Sequence, residues 1–316
     1  MKFSVSVIIP VYNGECFIEK ALHSVSQQPE VSEVVVVNDG SNDNTLEIIN
    51  KLQSKDSRIQ IFHHKNKKNR GRSASRNLGI KRAKGNYIAF LDADDFYLEN
   101  RFKNDKLIFQ YNKEADGVYN AIGVHFYRES KDLEKEKLEL TTLNRRVKPE
   151  DLFDTLLAGK EGHFSIDGLT VKKSVFSTVG NFNETLLVAE DTELIFKMAL
   201  KCRLEAGIID KPLAARGVHE NNVSNREDLY QIYRAKMFES LLFWGSKNQT
   251  RLITIEKYLD WLWINRYKQK NSLIKDIFYW VFLTFNSPKI LFSYITVKYF
   301  PIVRLRKKLF PFLYRN

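Results

Sequence analysis

Short apolar runs alternate with amphipathic stretches through about the first third of the chain. Four runs are almost continuously apolar, as in strands buried on both faces: Ser4–Pro10, Val34–Val37, Ile59–Phe62 and Tyr87–Leu91. Segments with helical character follow each run, at Phe17–Gln27, after Asn44-Thr45, from Gly71–Gly79 onward and from near Leu98. This alternation predicts an α/β fold, in which a mostly parallel sheet is covered by helices on both faces.

Two of the predicted strands end in acidic turns. Asp39 follows the second strand, and Asp92, Asp94 and Asp95 follow the fourth. In a doubly wound sheet such strand ends converge on one crevice. Clustered carboxylates there cost free energy unless water, cations or a metal compensate them, and Mg²⁺ or Mn²⁺ prefers such oxygen ligands and phosphate. The pattern thus indicates a site for a metal and a diphosphate, with a solvated acidic turn that caps the next helix as the alternative.

Four motifs resemble those of family 2 glycosyltransferases, the inverting enzymes of the GT-A fold, in order and spacing. They are Ser6–Gly14, Val37–Ser41, Gly71–Gly79 and Leu91–Asp95. The resemblance covers roughly residues 4 to 225 and implies a Rossmann-like GT-A domain that uses a nucleotide-diphosphate sugar. The donor-binding residues that it implies are Pro10, Tyr12, Asp39, Gly71, Arg76 and Asp92.

Some of these positions have plainer interpretations. Asp39 is the family's residue for the nucleotide base, but it also suits an Asx-turn or a helix cap. Arg76 matches the family's loop, but surface arginines on helices are common. The family uses the first aspartate of its acidic motif for the ribose or metal and the second for the metal, which here implies Asp92 and Asp94.

The second half of the chain contains the candidate catalytic base. Asp191 precedes a predicted helix, Thr192–Lys201, and the resemblance implies that it removes a proton from the acceptor. Its alternative role is that of an N-cap, which is compatible because a helix N-terminus keeps a carboxylate ionised. The resemblance further implies that Glu190 and His163 lie on the acceptor side, and that His219 completes a Mn²⁺ or Mg²⁺ site with Asp94 and Asp92.

Charge is concentrated near the end of the sequence. The formal net charge is +12, and the segment 266–316 contains eleven Lys and Arg residues but one acid, Asp276. Aromatic residues are frequent there, and the longest apolar run, Ile277–Phe285, is shorter than the roughly 18 residues needed to span a bilayer. Aromatics with basic residues favour contact with a membrane surface over nucleic acid. A helical cap with a basic outer face is the alternative.

These observations predict two regions. Residues 1–225 would form the catalytic domain, with a nucleotide-binding half at about 1–115 and an acceptor half at about 116–225. Residues 226–316 would form a helical, basic and aromatic extension. Cys16 and Cys202 are expected to be buried free thiols, and Met1 leads directly into the first strand. We therefore expect a cytoplasmic protein at the inner face of the membrane. The run Lys131–Lys137 predicts a charged surface loop.

Three functional classes remain. The first is an inverting, metal-dependent glycosyltransferase, acting on a glycan or lipid-linked acceptor of a bacterial surface polysaccharide. The second is a nucleotidyltransferase that makes nucleotide sugars, although the expected glycine-rich loop after the first strand is absent. The third is a non-catalytic, membrane-bound module that binds nucleotide sugars. A dinucleotide oxidoreductase is excluded because the sequence has no G-x-G-x-x-G motif.

Overall fold

The computed structural model describes residues 3–130, 139–220, 222, 226–268 and 271–314. The run Lys131–Lys137 therefore lies outside the described residues. The chain divides into two compact units, which are described separately. The first unit comprises Met1–Thr185 and Glu190–Asn225, and the second comprises Leu186–Ala189 and Arg226–Asn316.

The first unit contains all ten described strands. They are β1 Val5–Val11, β2 Val31–Asn38, β3 Ile59–His63, β4 Tyr87–Phe90, β5 Phe96–Tyr97, β6 Gly117–Tyr119, β7 Gly123–Phe126, β8 Leu169–Lys172, β9 Leu204–Ala206 and β10 Ala214–Val218. Seven of them form one sheet in the order β3-β2-β1-β4-β8-β6-β9. The pairs β2–β3, β1–β2, β1–β4 and β6–β9 are parallel, whereas β8 is antiparallel to both β4 and β6. The predicted mostly parallel sheet is confirmed.

Seven α-helices belong to the described part of the first unit. They are α1 Ile18–Ser26, α2 Thr45–Gln53, α3 Arg72–Arg82, α4 Lys103–Tyr111, α5 Pro149–Ala158, α6 Val175–Val179 and α7 Glu190–Lys201. Short 3₁₀ turns occur at Lys65–Lys67 and Ile166–Gly168. The strand β1 shows why both faces of the sheet are covered. Val7 and Ile9 pack with Ile18 of α1 in the main core, whereas Ile8 lies against Gly79 of α3. Successive residues of a strand point to opposite faces, so an all-apolar strand needs a helix on each side.

A second sheet of three strands departs from the sequence prediction. Its order is β5-β10-β7, in which β10 is antiparallel to β5 and parallel to β7. A helix follows the acidic turn as predicted, but its predicted start near Leu98 was too early, because the strand β5 comes first and α4 begins only at Lys103. This small sheet brings the segment before His219 to the acidic turn.

The second unit is helical in its described part. Its elements are α8 Glu227–Lys247, α9 Leu252–Lys268, α10 Leu273–Asn286, α11 Tyr294–Tyr299, α12 Pro301–Arg304 and α13 Arg306–Leu309, with 3₁₀ turns at Pro288–Phe292 and Pro311–Tyr314. Its interior contains Tyr258, Leu262 and Trp263, each fully buried. The predicted helical C-terminal region is confirmed. No helix in the described ranges is long and apolar enough to cross a bilayer.

The two cysteines are free, but their predicted burial was wrong for Cys16. Cys16 is exposed in the turn before α1. Cys202 is partly buried just after α7, and burial raises the pKa of its thiol to about 12. A helical apolar pattern therefore overestimated burial at a position that precedes the helix itself.

Candidate active site

The candidate site is built on the carboxyl ends of three adjacent parallel strands. Because β1 lies between β2 and β4, Asp39 after β2 and the turn Asp92–Asp95 after β4 lie at one edge of the sheet. Pro10 is buried near the end of β1, and Tyr12 just beyond it is 51% exposed. The edge at which open α/β sheets bind ligands thus contains most of the predicted donor-binding residues.

Asp39 is held by the loop before α3. Its two carboxylate oxygens accept hydrogen bonds from the backbone N–H groups of Arg70, at 2.7 Å, and Gly71, at 2.8 Å. Gly71 has φ of +85°, a left-handed conformation that residues with a side chain rarely adopt. Asp39 therefore anchors the loop that begins α3 and uses its carboxylate there, not at the N-terminus of α2. Its contact with a nucleotide base stays a prediction.

Arg76 lies in α3 and is buried between two carboxylates. Its Nη2 is 2.5 Å from Asp92 Oδ1, and its Nη1 is 2.8 Å from Glu190 Oε1. Arg72, one turn earlier, places its Nε 2.5 Å from the same Glu190 oxygen. The interpretation of Arg76 as a solvated surface residue was wrong, since it is 1% exposed. The helix α3 therefore connects the acidic turn after β4 with the start of α7.

The acidic turn contains two carboxyls whose pKa values shift in opposite directions. Burial raises the pKa of Asp92, but the charges of Arg76 and Arg72 outweigh it and lower that pKa below its usual value. Burial and the charge of Asp92 raise the pKa of Asp94, and a hydrogen bond with His219 only partly opposes them. Asp94 is thus a carboxylate whose negative charge is incompletely compensated, as expected for a group that binds a cation.

His219 and Asn222 contact Asp94 from the segment after β10. His219 Nε2 lies 3.0 Å from Asp94 Oδ2, and Asn222 Nδ2 donates to the same oxygen at 3.2 Å. The imidazole stacks on Phe17, with ring centroids 4.7 Å apart. Gly217 brings this segment close, because a side chain there would meet the Asp94 carbonyl oxygen at 2.2 Å. Asn222 was not predicted, since its role depends on a contact 128 residues away in sequence.

Asp95 and Asp167 are buried and form a second group of carboxylates together with Asp92. One oxygen from each of Asp92, Asp95 and Asp167 lies within 4.8 Å of the others. Burial and the neighbouring carboxylates raise the pKa of Asp95 well above its usual value. Burial and the charge of Asp92 raise the pKa of Asp167 to about 6. Asp167 lies in a short turn with no recognisable motif, so only the fold reveals it.

The donor atoms at this edge fit a hard divalent cation. Asp94 and His219 are in contact and offer a carboxylate oxygen and an imidazole nitrogen, and Asp92 belongs to the same turn, so the donor types suit Mn²⁺ and Mg²⁺. Among the described residues, however, the close carboxylate group that contains Asp92 is completed by Asp95 and Asp167 and not by Asp94 and His219. The raised pKa of Asp94 is the observation that supports the fit, because a cation would relieve the repulsion from Asp92. Glu190 does not compete for the metal, since the two arginines occupy its carboxylate.

Asp191 lies in the first turn of α7 and is partly buried. This helix begins at Glu190, two residues earlier than predicted, and Asp191 Oδ1 accepts a hydrogen bond from the backbone N–H of Thr192 at 2.6 Å. His163 is exposed, and the partial loss of solvent around its ring lowers its pKa. The charge of Asp191 opposes this shift and that of Arg216 adds to it. His163 therefore lies within electrostatic range of Asp191; the acceptor roles of His163 and Glu190 stay predictions.

Comparisons with known proteins agree with this geometry. The profile of Glycosyl transferase family 2 matches residues 6–178, more than half of the chain. An uncharacterised glycosyltransferase of Haemophilus influenzae is 35% identical over 158 residues, which cover 50% of this chain and 58% of that protein. The uncharacterised glycosyltransferase EpsJ of Bacillus subtilis is 37% identical over 130 residues, 40% of this chain and 35% of its own. The chain thus spans a little more than half the length of the first relative and about a third of the second.

Solved structures support the fold. S. aureus TarS in complex with UDP-GlcNAc matches with a TM-score of 0.56 at 18% identity, over 96% of this chain and 92% of that chain. The mannosyltransferase PcManGT of Pyrobaculum calidifontis, in complex with GDP-Man and Mn²⁺, matches with a TM-score of 0.53 at 15% identity, over 97% and 87% of the two chains. The α/β sheet and its helices are therefore those of the GT-A fold. The chain belongs to glycosyl transferase family 2, which places it among the glycosyltransferases.

Proposed function

We propose that this protein transfers a sugar, with inversion, from a nucleotide-diphosphate sugar to an acceptor hydroxyl, with Mn²⁺ or Mg²⁺ as cofactor. The observation that carries the proposal is the chain of ion pairs from Asp92 through the buried Arg76 to the buried Glu190. It joins the turn predicted to bind the donor to the helix that contains the candidate base, Asp191. Two sites that must act on the same reacting atoms are thus held by one rigid connection.

The donor side is assigned to the edge formed by β1, β2 and β4. Asp94, Asp92 and His219 would hold the metal, which supplies Lewis-acid stabilisation of the leaving nucleotide diphosphate when it is bound. Arg76 keeps Asp92 ionised, because its charge lowers the pKa of that carboxyl. The complexes of TarS with UDP-GlcNAc and of PcManGT with GDP-Man and Mn²⁺ support a nucleotide-sugar donor.

The acceptor side is assigned to the start of α7. Asp191 accepts the proton of the acceptor hydroxyl at its carboxylate as that oxygen attacks the anomeric carbon. A single displacement with one base and no enzyme nucleophile inverts the anomeric configuration. Membership of the family favours this class over the nucleotidyltransferase and the non-catalytic module.

The enzyme works at the cytoplasmic surface of the membrane, on a glycan or lipid-linked acceptor of a bacterial surface polysaccharide. Supporting this, the apolar residues on one face of α10 are exposed: Ile274, Phe278, Val281, Phe282 and Phe285. Their spacing is that of a single helical face. Exposed aromatic residues beside clustered Lys and Arg suit the interface of an anionic bilayer.

A thermal-shift screen of nucleotide diphosphates tests the donor assignment. The purified chain is heated with UDP, GDP or ADP, each with and without Mn²⁺. One nucleotide with Mn²⁺ should stabilise the fold by about 2.7 kcal/mol at a hundredfold excess over Kd. The matching nucleotide sugars, tested with candidate acceptors, should then give a product of inverted anomeric configuration by NMR. Absence of stabilisation by every nucleotide, or a product with retained configuration, would contradict the proposal.

A further inference from the structure

The C-terminal unit contains an open cavity of about 660 Å³ between α9 and the short helices α11, α12 and α13. Its lining is basic and aromatic: Ile264, Tyr267, Lys298, Tyr299, Arg304 and Arg306. The volume is within the usual range of small-molecule sites. None of these residues belongs to the candidate active site, so the cavity needs a separate explanation.

Arg304 is the central cation of this cavity. Its guanidinium carbon lies 3.1 Å from the centroid of the Tyr267 ring and 5.9 Å from that of Tyr299. Among the described residues its guanidinium has no carboxylate partner. Stacking on an aromatic ring fixes the plane of a guanidinium while its N–H groups remain available to an anion. Tyr267 is itself held in place, since its hydroxyl donates to the Tyr299 carbonyl oxygen at 3.1 Å.

The other cations are only partly compensated. Arg306 donates to the Val303 carbonyl oxygen at 2.8 Å, and Lys298 Nζ lies 3.5 Å from Asp260 Oδ1. That Asp260 oxygen also accepts a hydrogen bond from the Tyr299 hydroxyl. Of the three cations that line the cavity, Lys298 is the one with a carboxylate contact among the described residues, and Asp276 nearby is paired with Arg266. This excess positive charge, with a planar arginine at its centre, suits the oxygen atoms of a phosphate group.

Apolar side chains accompany these cations. Val297, Ile302 and Leu309 belong to the same three short helices and are 53%, 37% and 38% exposed. Exposed apolar neighbours add nothing to the binding of a small soluble anion, whereas a lipid phosphate at the surface of a bilayer lies next to acyl chains that such side chains can contact. We propose that the cavity binds the phosphate group of an anionic phospholipid headgroup and so fixes the C-terminal unit on the membrane. The proposal rests on the membrane location proposed above and specifies a site for it.

A substitution that conserves charge distinguishes a specific phosphate site from general electrostatic attraction to an anionic membrane. Arg304→Lys keeps the charge but removes the planar, multidentate donor, so a phosphate site should lose affinity about tenfold. Arg306→Lys provides a second variant at the rim of the cavity and should weaken binding in the same direction. Arg251→Lys is the matched control, because Arg251 is exposed in the same unit and does not line the cavity. Diffuse attraction depends on net charge alone, so it would leave all three variants equal to the wild type.

The measurement is co-sedimentation of the full chain with vesicles of phosphatidylcholine, alone or in equimolar mixture with phosphatidylglycerol. The wild type and Arg251→Lys should bind the mixed vesicles equally well, and Arg304→Lys about tenfold more weakly, with unchanged circular dichroism and thermal midpoints. If Arg304→Lys and Arg306→Lys bound the mixed vesicles as tightly as the wild type does, the site would be overturned. Binding of inorganic phosphate or glycerol 3-phosphate by calorimetry, without vesicle binding, would identify a soluble ligand and overturn the lipid assignment. Tighter binding to a single-stranded oligonucleotide than to vesicles would also overturn it.

The same variants separate this proposal from the catalytic one. Arg304 lies in the C-terminal unit, outside the proposed donor and acceptor residues. Arg304→Lys should therefore keep the stabilisation by nucleotide diphosphate with Mn²⁺ that the wild type shows. If no nucleotide stabilises the wild type, the donor assignment fails, while the vesicle comparison still decides the lipid site.

Discussion

Asp92 and Asp94 are two residues apart in one turn, yet their surroundings shift their pKa values in opposite directions. Arg76 and Arg72 stabilise the ionised form of Asp92, whereas burial and repulsion act against the ionised form of Asp94. Asp191 belongs to a different element, the first turn of α7. The carboxyl groups of the site are therefore chemically distinct, and single substitutions should separate their roles.

Asp191→Asn should lower the rate of sugar transfer by about a hundredfold or more, the usual effect of removing a general base. The amide retains the size and the hydrogen-bonding ability of the carboxylate but lacks its basicity. Donor binding, measured by thermal shift, should stay close to that of the wild type. Asp210→Asn, at an exposed position, is the control and should leave transfer unchanged. Near-normal turnover of Asp191→Asn would remove Asp191 from the mechanism.

Removal of the metal should abolish transfer, and Mn²⁺ or Mg²⁺ should restore it after EDTA treatment. Asp94→Ala should weaken binding of the nucleotide diphosphate when Mn²⁺ is present but not when it is absent, because the carboxylate acts through the metal. His219→Ala should raise the Mn²⁺ concentration needed for half-maximal nucleotide binding, as measured by calorimetry. An unchanged Mn²⁺ titration would show that His219 only stacks on Phe17 and positions Asp94.

Asp167 should make stability depend on pH in a defined window. Burial and the charge of Asp92 raise its pKa to about 6 in the folded protein, against an unfolded value of about 3.9. The folded state therefore binds this proton more tightly, and the group costs stability as pH rises from about 4 to about 6. Asp167→Asn lacks that cost. The difference in free energy of unfolding between Asp167→Asn and the wild type should therefore increase by about 1–3 kcal/mol, in favour of the variant, as pH rises from about 4 to about 6.

Urea denaturation at several pH values measures this difference. Above about pH 6 the difference between Asp167→Asn and the wild type should be constant, because the carboxyl is then ionised in both states. Asp210→Asn serves as the exposed control and should follow the wild type throughout. A difference that does not change with pH would mean that Asp167 has the same pKa in both states.

At the scale of elements, α3 and α7 are joined through Arg76 and Glu190. Arg76→Met should lower the free energy of unfolding by about 1–3 kcal/mol, because it leaves the partly exposed Asp92 without its cation and the buried Glu190 with Arg72 alone. Lys81→Met, at an exposed position of the same helix, should change stability little. Adding Glu190→Gln to Arg76→Met should recover part of the loss. Equal stability of Arg76→Met and the wild type would refute the structural role of the ion pairs.

The elements also show how far the sequence predicts this fold. Strands β1, β2 and β4 were predictable because strands buried on both faces are continuously apolar. The strand β5 was not, since two residues carry no periodicity and its pairing partner β10 lies more than a hundred residues later. In the site, Asp92 and Asp94 belong to a recognisable motif, whereas Asp167 and Asn222 reach it only through tertiary contacts.

At the scale of the whole molecule, the two compact units predict separable activities. Truncation after Asn225 should abolish binding to anionic vesicles and keep donor binding, because the proposed donor residues belong to the first unit. A cut near Asn265 would instead divide α9 and leave part of the second unit. Binding of the full chain should weaken with salt without vanishing, since charge is screened and apolar burial is not.

Vesicle sedimentation at low and high salt, with circular dichroism to verify folding, checks this prediction. The folding control matters because Leu186–Ala189 clusters with the second unit although it lies within the first in sequence. A full-length protein that ignores anionic vesicles at low salt would leave the helical cap with a basic outer face as the explanation of the C-terminal region.

The buried arginine between Asp92 and Glu190 has a consequence for recombination among related enzymes. Arg76 and Asp92 lie inside the segment that matches the family profile, whereas Glu190 lies beyond its end at residue 178. A chimera with its crossover between these positions inherits the arginine from one parent and the glutamate from the other. If the parents differ at either position, the hybrid loses the contact between Arg76 and Glu190 and keeps only Arg72 with Glu190 or Asp92 with Arg76, so the most stable crossovers should transfer the pair together.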